Sequence, residues 1–128
     1  MGYRKEGGFV GEHDPRSGFP IPVHISARSK DIEKLIQGLI DTSELLIKSQ
    51  FHPVLTASLI SFGFVLIHPF VDGNGRIHRY LIHHILAETK FSAGGVIFPV
   101  SSAILDMIND YRKVLESYSI PILCFIDW

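Results

Sequence analysis

The run His68-Pro69-Phe70-Val71-Asp72-Gly73-Asn74-Gly75-Arg76-Ile77-His78-Arg79 joins a long apolar stretch to a second stretch of helical spacing. Gly73 and Gly75 flank Asn74 just before a helix begins. Glycines at such a point let main-chain N–H groups converge, and the helix dipole adds positive potential. Arg76 and Arg79 fall three apart in the first turn, on one face. Two cations at the positive end of a helix are misplaced unless an anion lies in front of them. Asp72 is a carboxylate beside that anion site, which a bridging cation would reconcile. Mg²⁺ takes one or two protein carboxylates together with phosphate oxygens. His68 ends the preceding apolar stretch, where a neutral imidazole can take a proton. The residues therefore suggest a Mg²⁺–polyphosphate site with a histidine base.

On the N-terminal side, Ser49 to Val71 holds no Asp, Glu, Lys or Arg. A membrane-spanning helix needs about 20 mostly apolar residues. Pro53 and Pro69 cut the run shorter, and Thr56, Ser58, Ser61 and His68 interrupt it. It reads as a buried central helix over 54–67, apolar on nearly every side. Upstream, Ser29 can cap a helix with Asp31 and Glu33 in its first turn. Ile32, Leu35, Ile36, Leu39 and Leu46 keep a helical period as far as Lys48. Residues 9–27 mix strand formers with the polar turn His13-Asp14-Pro15-Arg16-Ser17-Gly18, the pattern of a hairpin or exposed flap.

On the C-terminal side, a third helix is expected over 75–90 and a loop over 92–95. Ser101 or Ser102 would cap a fourth helix with Ile104, Leu105, Ile108, Tyr111 and Leu115 on one face. Pro121 should break it before a last apolar segment. The fold class is mostly α with a small β-hairpin.

The chain has 128 residues, a single-domain length. Its 12 Lys and Arg against 13 Asp and Glu give a net charge of −1. That balance argues against a nucleic-acid coat or a polybasic membrane clamp. Hydrophobic residues at 46% and charged ones at 20% exclude intrinsic disorder. One cysteine, Cys124, permits no intramolecular disulfide and fits a reducing compartment, the cytoplasm. Set in Ile122-Leu123-Cys124-Phe125-Ile126, its thiol reads as buried and inert. Met1 to Gly8 lacks the apolar core of a signal peptide. The chain stops at Trp128 without a polar tail, which is expected of a piece of a longer protein. Tyr111, Tyr118 and Trp128 are expected in the core or at an interface with further sequence.

The motif resembles the core motif of the Fic (Fic/Doc) family, His-x-Phe-x-Asp/Glu-Gly-Asn-Gly-Arg-x-x-Arg. His68, Phe70, Asp72, Gly73, Asn74, Gly75, Arg76 and Arg79 meet every specified position. The likeness is sharp from about Pro53 to Leu86, and it implies a Fic-type helical bundle over residues 1–128. It also implies transfer of AMP from ATP to a Ser, Thr or Tyr hydroxyl of a target protein. His68 would be the general base and Asp72 the Mg²⁺ ligand. Gly73, Asn74 and Gly75 would form the anion nest, with the Asn74 side chain also on phosphate. Arg76 would contact the phosphates, Arg79 would secure the γ-phosphate, and Phe70 would anchor the loop. The flap would hold the target by strand addition.

Alternatives of other kinds are phosphorylation by the same site and a binding module that holds ATP–Mg²⁺ without chemistry. Arg79 favours adenylylation over the Doc-type reaction, and His68 argues against a pure binder. Many relatives carry an inhibitory Ser/Thr-x-x-x-Glu-Gly/Asn helix. Ser29 to Glu33 has its first spacing, but Lys34 comes next, so the pattern fails. An inhibitory segment would then come from outside this sequence or from a partner chain. Ser61 stands where many relatives have a histidine. His24, in the flap, is a candidate contact to target or nucleotide. His84 and Glu88, four apart, could ligate a metal, though no third ligand is apparent.

Overall fold

The computed structural model describes residues 2–93 and 95–128. Two strands come first, β1 (Phe9–His13) and β2 (Pro20–Ile25), paired antiparallel with Phe9 opposite Ile25 and His13 opposite Pro20. Asp14 closes the intervening turn, its Oδ1 accepting from the N–H groups of Arg16 and Ser17 at 2.7 and 3.2 Å. This is the anticipated flap. A bulge between Val10 and Gly11 was not anticipated. A Cβ on Gly11 would lie 2.2 Å from the Ile21 carbonyl oxygen, so only glycine lets the strands approach there.

Three helices come next: α1 (Ile32–Lys48), α2 (Pro53–Ile67) and α3 (Asn74–Glu88). The inward stripe of α1 is the expected one except Leu35, which is exposed. Ser29 does not cap it. Residues Ser29–Asp31 form a 3-10 turn without a side-chain cap, and Arg28 and Asp31 pair across that turn at 2.7 Å. Pro53 opens α2 at its first position, where a missing N–H costs nothing. Ala57 and Ile60 of α2 pack on Ile85 and Leu86 of α3, with Leu39 and Leu46 of α1 alongside. This small cluster is the core. It fixes the angle between α2 and α3, and hence the loop that joins them. The central helix is not buried all round: Val54, Leu55 and Leu59 are exposed. Its neighbours cover two of its sides, and apolar character alone does not supply a third.

The expected fourth helix is two helices, α4 (Val100–Asp106) and α5 (Ile108–Leu123), broken at Met107. Pro99 precedes α4, so Ser101 and Ser102 lie inside it, and Leu105 faces solvent. Pro121 does not end α5, which runs on to Leu123. A proline this close to a helix end forfeits one bond and has little helix beyond it to bend. The last apolar segment is largely exposed, and Cys124 is an exposed free thiol. Tyr118 is exposed, and Trp128 is exposed with its ring 5.8 Å from that of Phe9. Helix α5 packs on β2. Among the described residues no helix is long and apolar enough to cross a membrane.

Candidate active site

Helix α2 ends at Ile67, and His68 turns the chain with φ 52° and ψ 60°. A left-handed residue other than glycine is uncommon and persists only where its surroundings hold it. Here they do. The His68 N–H donates to the Phe64 carbonyl at 3.0 Å. The imidazole Nδ1 lies 3.4 Å from the Val65 carbonyl oxygen. A carbonyl only accepts, so Nδ1 carries the proton and the Nε2 lone pair is left free. Burial lowers the His68 pKa, which the bond to Val65 partly opposes, and the neighbouring His24 and Arg4 lower it further. The ring is thus a neutral base near neutral pH.

The loop is closed from within. The Asn74 side chain is buried, accepting from the Phe70 N–H at 3.0 Å and donating to the Phe70 carbonyl at 2.8 Å. Phe70 leans on Phe64 and Tyr3, with ring centroids 6.3 and 5.5 Å apart. Asn74 thus closes the loop on Phe70 through both ends of its amide, a role that the motif spacing alone does not announce. Gly73 has φ 90°, a conformation that a side chain disfavours. Its carbonyl accepts from the N–H groups of Arg76 and Ile77 at 3.0 Å each. The N–H groups of Asn74 and Gly75 open the helix and have no intrahelical acceptor.

Arg76 Nη2 and Asp72 Oδ2 pair at 3.0 Å on the exposed rim. Asp72 therefore has a protein partner, which the sequence reading did not give it. Arg79 is half-buried, with no ion-pair partner among the described residues. Its Nη1 lies 3.6 Å from where a Gly75 Cβ would sit, and Arg76 Nη2 lies at the same distance from a Cβ on Gly73. Both guanidinium groups thus hang beside the glycines. His68, Asp72, Gly73, Asn74, Gly75, Arg76 and Arg79, with Val71, line one cavity of about 310 Å³. Seven of the eight motif residues meet there, and the eighth, Phe70, packs behind the loop against Phe64 and Tyr3. A larger cavity of about 640 Å³ among α1, α2 and α3 is mainly apolar and is lined by no arginine and no glycine.

Residues 3–86 match the family model described as Fic/DOC family. The chain belongs to the Fic/DOC family. Among curated Fic relatives, it is 35% identical over 94 residues to the protein adenylyltransferase fic-1 of Caenorhabditis elegans, covering 73% of this chain and 16% of that protein. It is 37% identical over 91 residues to the protein adenylyltransferase Fic of Nematostella vectensis, covering 70% and 18%. The chain therefore spans less than a fifth of either relative. A Fic domain containing signaling protein from Bacteroides thetaiotaomicron superposes with a TM-score of 0.63 at 26% identity, over 84% of this chain and 37% of that one. The Fic-type helical bundle with its small hairpin is thereby shown.

Other polar groups support the Fic motif loop from behind. His24 does not face the cavity. Its Nε2 donates to the Leu66 carbonyl at 2.7 Å, and its Nδ1 accepts from Ser119 Oγ at 2.9 Å, which ties the flap to α2 and α5. His78, unmarked by any spacing signal, donates from Nδ1 to the Ser61 carbonyl at 2.9 Å and meets the Tyr111 hydroxyl at 3.2 Å. His84 and Glu88 pair with each other at 3.2 Å on a half-exposed face. Among the described residues no group of three or more His, Cys, Asp or Glu side chains could hold a metal ion.

Proposed function

We propose that the cavity binds the phosphates of ATP and that the chain transfers AMP to a Ser, Thr or Tyr hydroxyl of a target protein. The observation that carries this reading is the convergence of seven of the eight motif residues on one cavity, with the His68 imidazole at its edge. The N–H groups of Asn74 and Gly75 point a helix dipole at the anion. Arg76 neutralises phosphate charge from the rim, and Arg79 takes the γ-phosphate. The acceptor hydroxyl gives its proton to His68 Nε2 as its oxygen bonds to the α-phosphorus. The bond from that phosphorus to the bridging oxygen breaks, and pyrophosphate leaves. Such a transfer depends on in-line positioning and charge neutralisation more than on covalent help.

A single exposed carboxylate suits a divalent cation that takes its other oxygens from phosphate and water. Asp72 would hold Mg²⁺ in that way, releasing Arg76, and the ion would supply further neutralisation of phosphate charge. The curated relatives' name, protein adenylyltransferase, supports the reaction. The target segment would add along β1, which is exposed from Val10 to His13, whereas β2 is occupied by α5. An inhibitory carboxylate for Arg79 would come from a segment or partner outside these residues.

Incubation with ATP labelled at the α- or γ-phosphate tests the reading. Protein label from the α-position alone supports it. Label from the γ-position alone assigns phosphorylation, and binding without label assigns a nucleotide-binding module.

A further inference from the structure

The last carbonyls of a helix have no intrahelical donors, so each must find a partner elsewhere. At the end of α2 the whole set can be traced. The Phe64 and Val65 carbonyls accept from His68, through its N–H and its Nδ1. The Leu66 carbonyl accepts from His24. The next three turn to Arg4, through its side chain and its own main chain, and the Ile67 carbonyl also accepts from the Ala27 N–H at 3.3 Å. The Arg4 Nη2 donates to the Ile67 carbonyl at 3.4 Å and also to that of Ala27. The Arg4 Nε donates to the His68 carbonyl at 2.8 Å, and the Arg4 N–H to that of Pro69 at 2.9 Å. The Nη1 donates to the Glu6 carbonyl at 2.6 Å.

Arg4 is 7% exposed, and its partners are main-chain carbonyls rather than a carboxylate. A buried cation without an anion is costly. Neutral donors would satisfy the same carbonyls, so the positive charge asks for a reason of its own. The reason lies in its position. The C-terminal end of α2 carries the negative pole of its dipole, which favours a protonated imidazole at that end. A base needs the opposite.

We propose that Arg4 is the positioning residue of the transfer site: clamped on the Ile67, His68 and Pro69 carbonyls, it fixes the left-handed turn from which His68 presents Nε2, and it sets a permanent positive charge beside that imidazole. The inference rests on the reading of His68 as the base. The other charged or titratable groups around His68 are Lys5 and Glu6 of the N-terminal segment, His24 of β2, and Asp72, Arg76 and Arg79 across the cavity. Arg4 is the cation that touches the His68 main chain. Burial lowers the His68 pKa most, and the charges of His24 and then Arg4 lower it further; of the two, Arg4 carries a charge that pH does not remove.

Three forms of the full chain test this: wild type, Arg4→Lys and Arg4→Met. Transfer from ATP–Mg²⁺ is monitored from pH 5 to 9, and the His68 imidazole is titrated by nitrogen NMR on the same samples. Arg4→Met is expected to lower kcat about a hundredfold, the scale of a misplaced catalytic group. It should move the acidic limb and the His68 titration to higher pH, with ATP affinity nearly unchanged. Arg4→Lys should return the limb towards wild type, because the charge is back, but not the full rate, because the fork of donors is not. A folded Arg4→Met with unshifted limb and unshifted titration overturns the proposal, as does wild-type kcat. Should Arg4→Met not fold, an Arg4→Lys protein with wild-type kcat overturns it. If the wild type itself transfers nothing, the base assignment falls, while the NMR titration still reports whether Arg4 governs the imidazole.

Discussion

Asn74 closes its side-chain amide on both main-chain polar groups of Phe70, at 3.0 and 2.8 Å, and so seals the motif loop into a ring. Asn74→Ala leaves a part-buried N–H and carbonyl of Phe70 without partners, each loss costing about 1–3 kcal/mol. Denaturant unfolding should show a clear loss of stability, and ATP affinity should fall with it. Asn74→Asp restores the acceptor but not the donor and should lie between wild type and Asn74→Ala. An Asn74→Ala protein as stable as wild type would show that the ring is incidental.

Gly73 sits at φ 90°, and a Cβ there would lie 3.6 Å from Arg76 Nη2. Gly73→Ala is expected to cost about 1–2 kcal/mol in backbone strain. The added methyl meets Arg76 Nη2 at ordinary contact distance, so its effect on the cavity comes through the strained loop backbone. Isothermal titration should therefore find weaker ATP binding even at temperatures where the variant is fully folded. Unchanged affinity would place the phosphates elsewhere.

Asp72 and Arg76 pair on the surface, where an ion pair contributes about 0–1 kcal/mol. Asp72→Asn should leave thermal stability nearly as it was. The same change should strongly reduce Mg²⁺-dependent transfer, and excess chelator should do likewise to wild type. Full activity in chelator would remove the metal from the account.

Burial lowers the pKa values of His24, His68 and His78. Each takes up a proton more readily in the unfolded chain, whose histidines titrate near 6.5. Between that value and the lower folded ones, the unfolded state binds more protons, so stability rises with pH there. The contribution is fully present above about pH 6.5 and is lost as pH falls through the folded values. Denaturant midpoints measured from pH 8 down to pH 5 should fall in that window. A flat profile would mean that these rings are free to charge in the fold.

Much of the fold and the site is legible in the sequence because it is local. Pro53 and the apolar stretch after it delimit α2, and twelve consecutive residues carry the whole motif. Asp14 and Gly18 announce the flap turn. The features that are not legible depend on distance along the chain or on the absence of a signal. Arg4 lies 64 residues from His68, in a stretch with no motif or hydrophobic period to mark it. Nothing in a helical period distinguishes one helix from two that break at Met107, where neither glycine nor proline stands. His78 looks like any polar residue of α3 until α2 and α5 place Ser61 and Tyr111 against it. Cys124 is exposed where burial was expected, because an apolar run shows what a segment tolerates, not what covers it.

In the proposed reaction His68, acting beside the glycine loop, moves AMP onto a hydroxyl. Arg79 has no carboxylate partner among the described residues, and a guanidinium not paired with a carboxylate is open to the γ-phosphate. The chain should therefore modify itself. Intact-mass measurement after incubation with ATP and Mg²⁺ should show added AMP units on the wild type and none on His68→Ala, whose ATP affinity stays close to wild type. Equal AMP addition to both proteins would contradict the role of His68, and added phosphate in place of AMP would contradict the reaction.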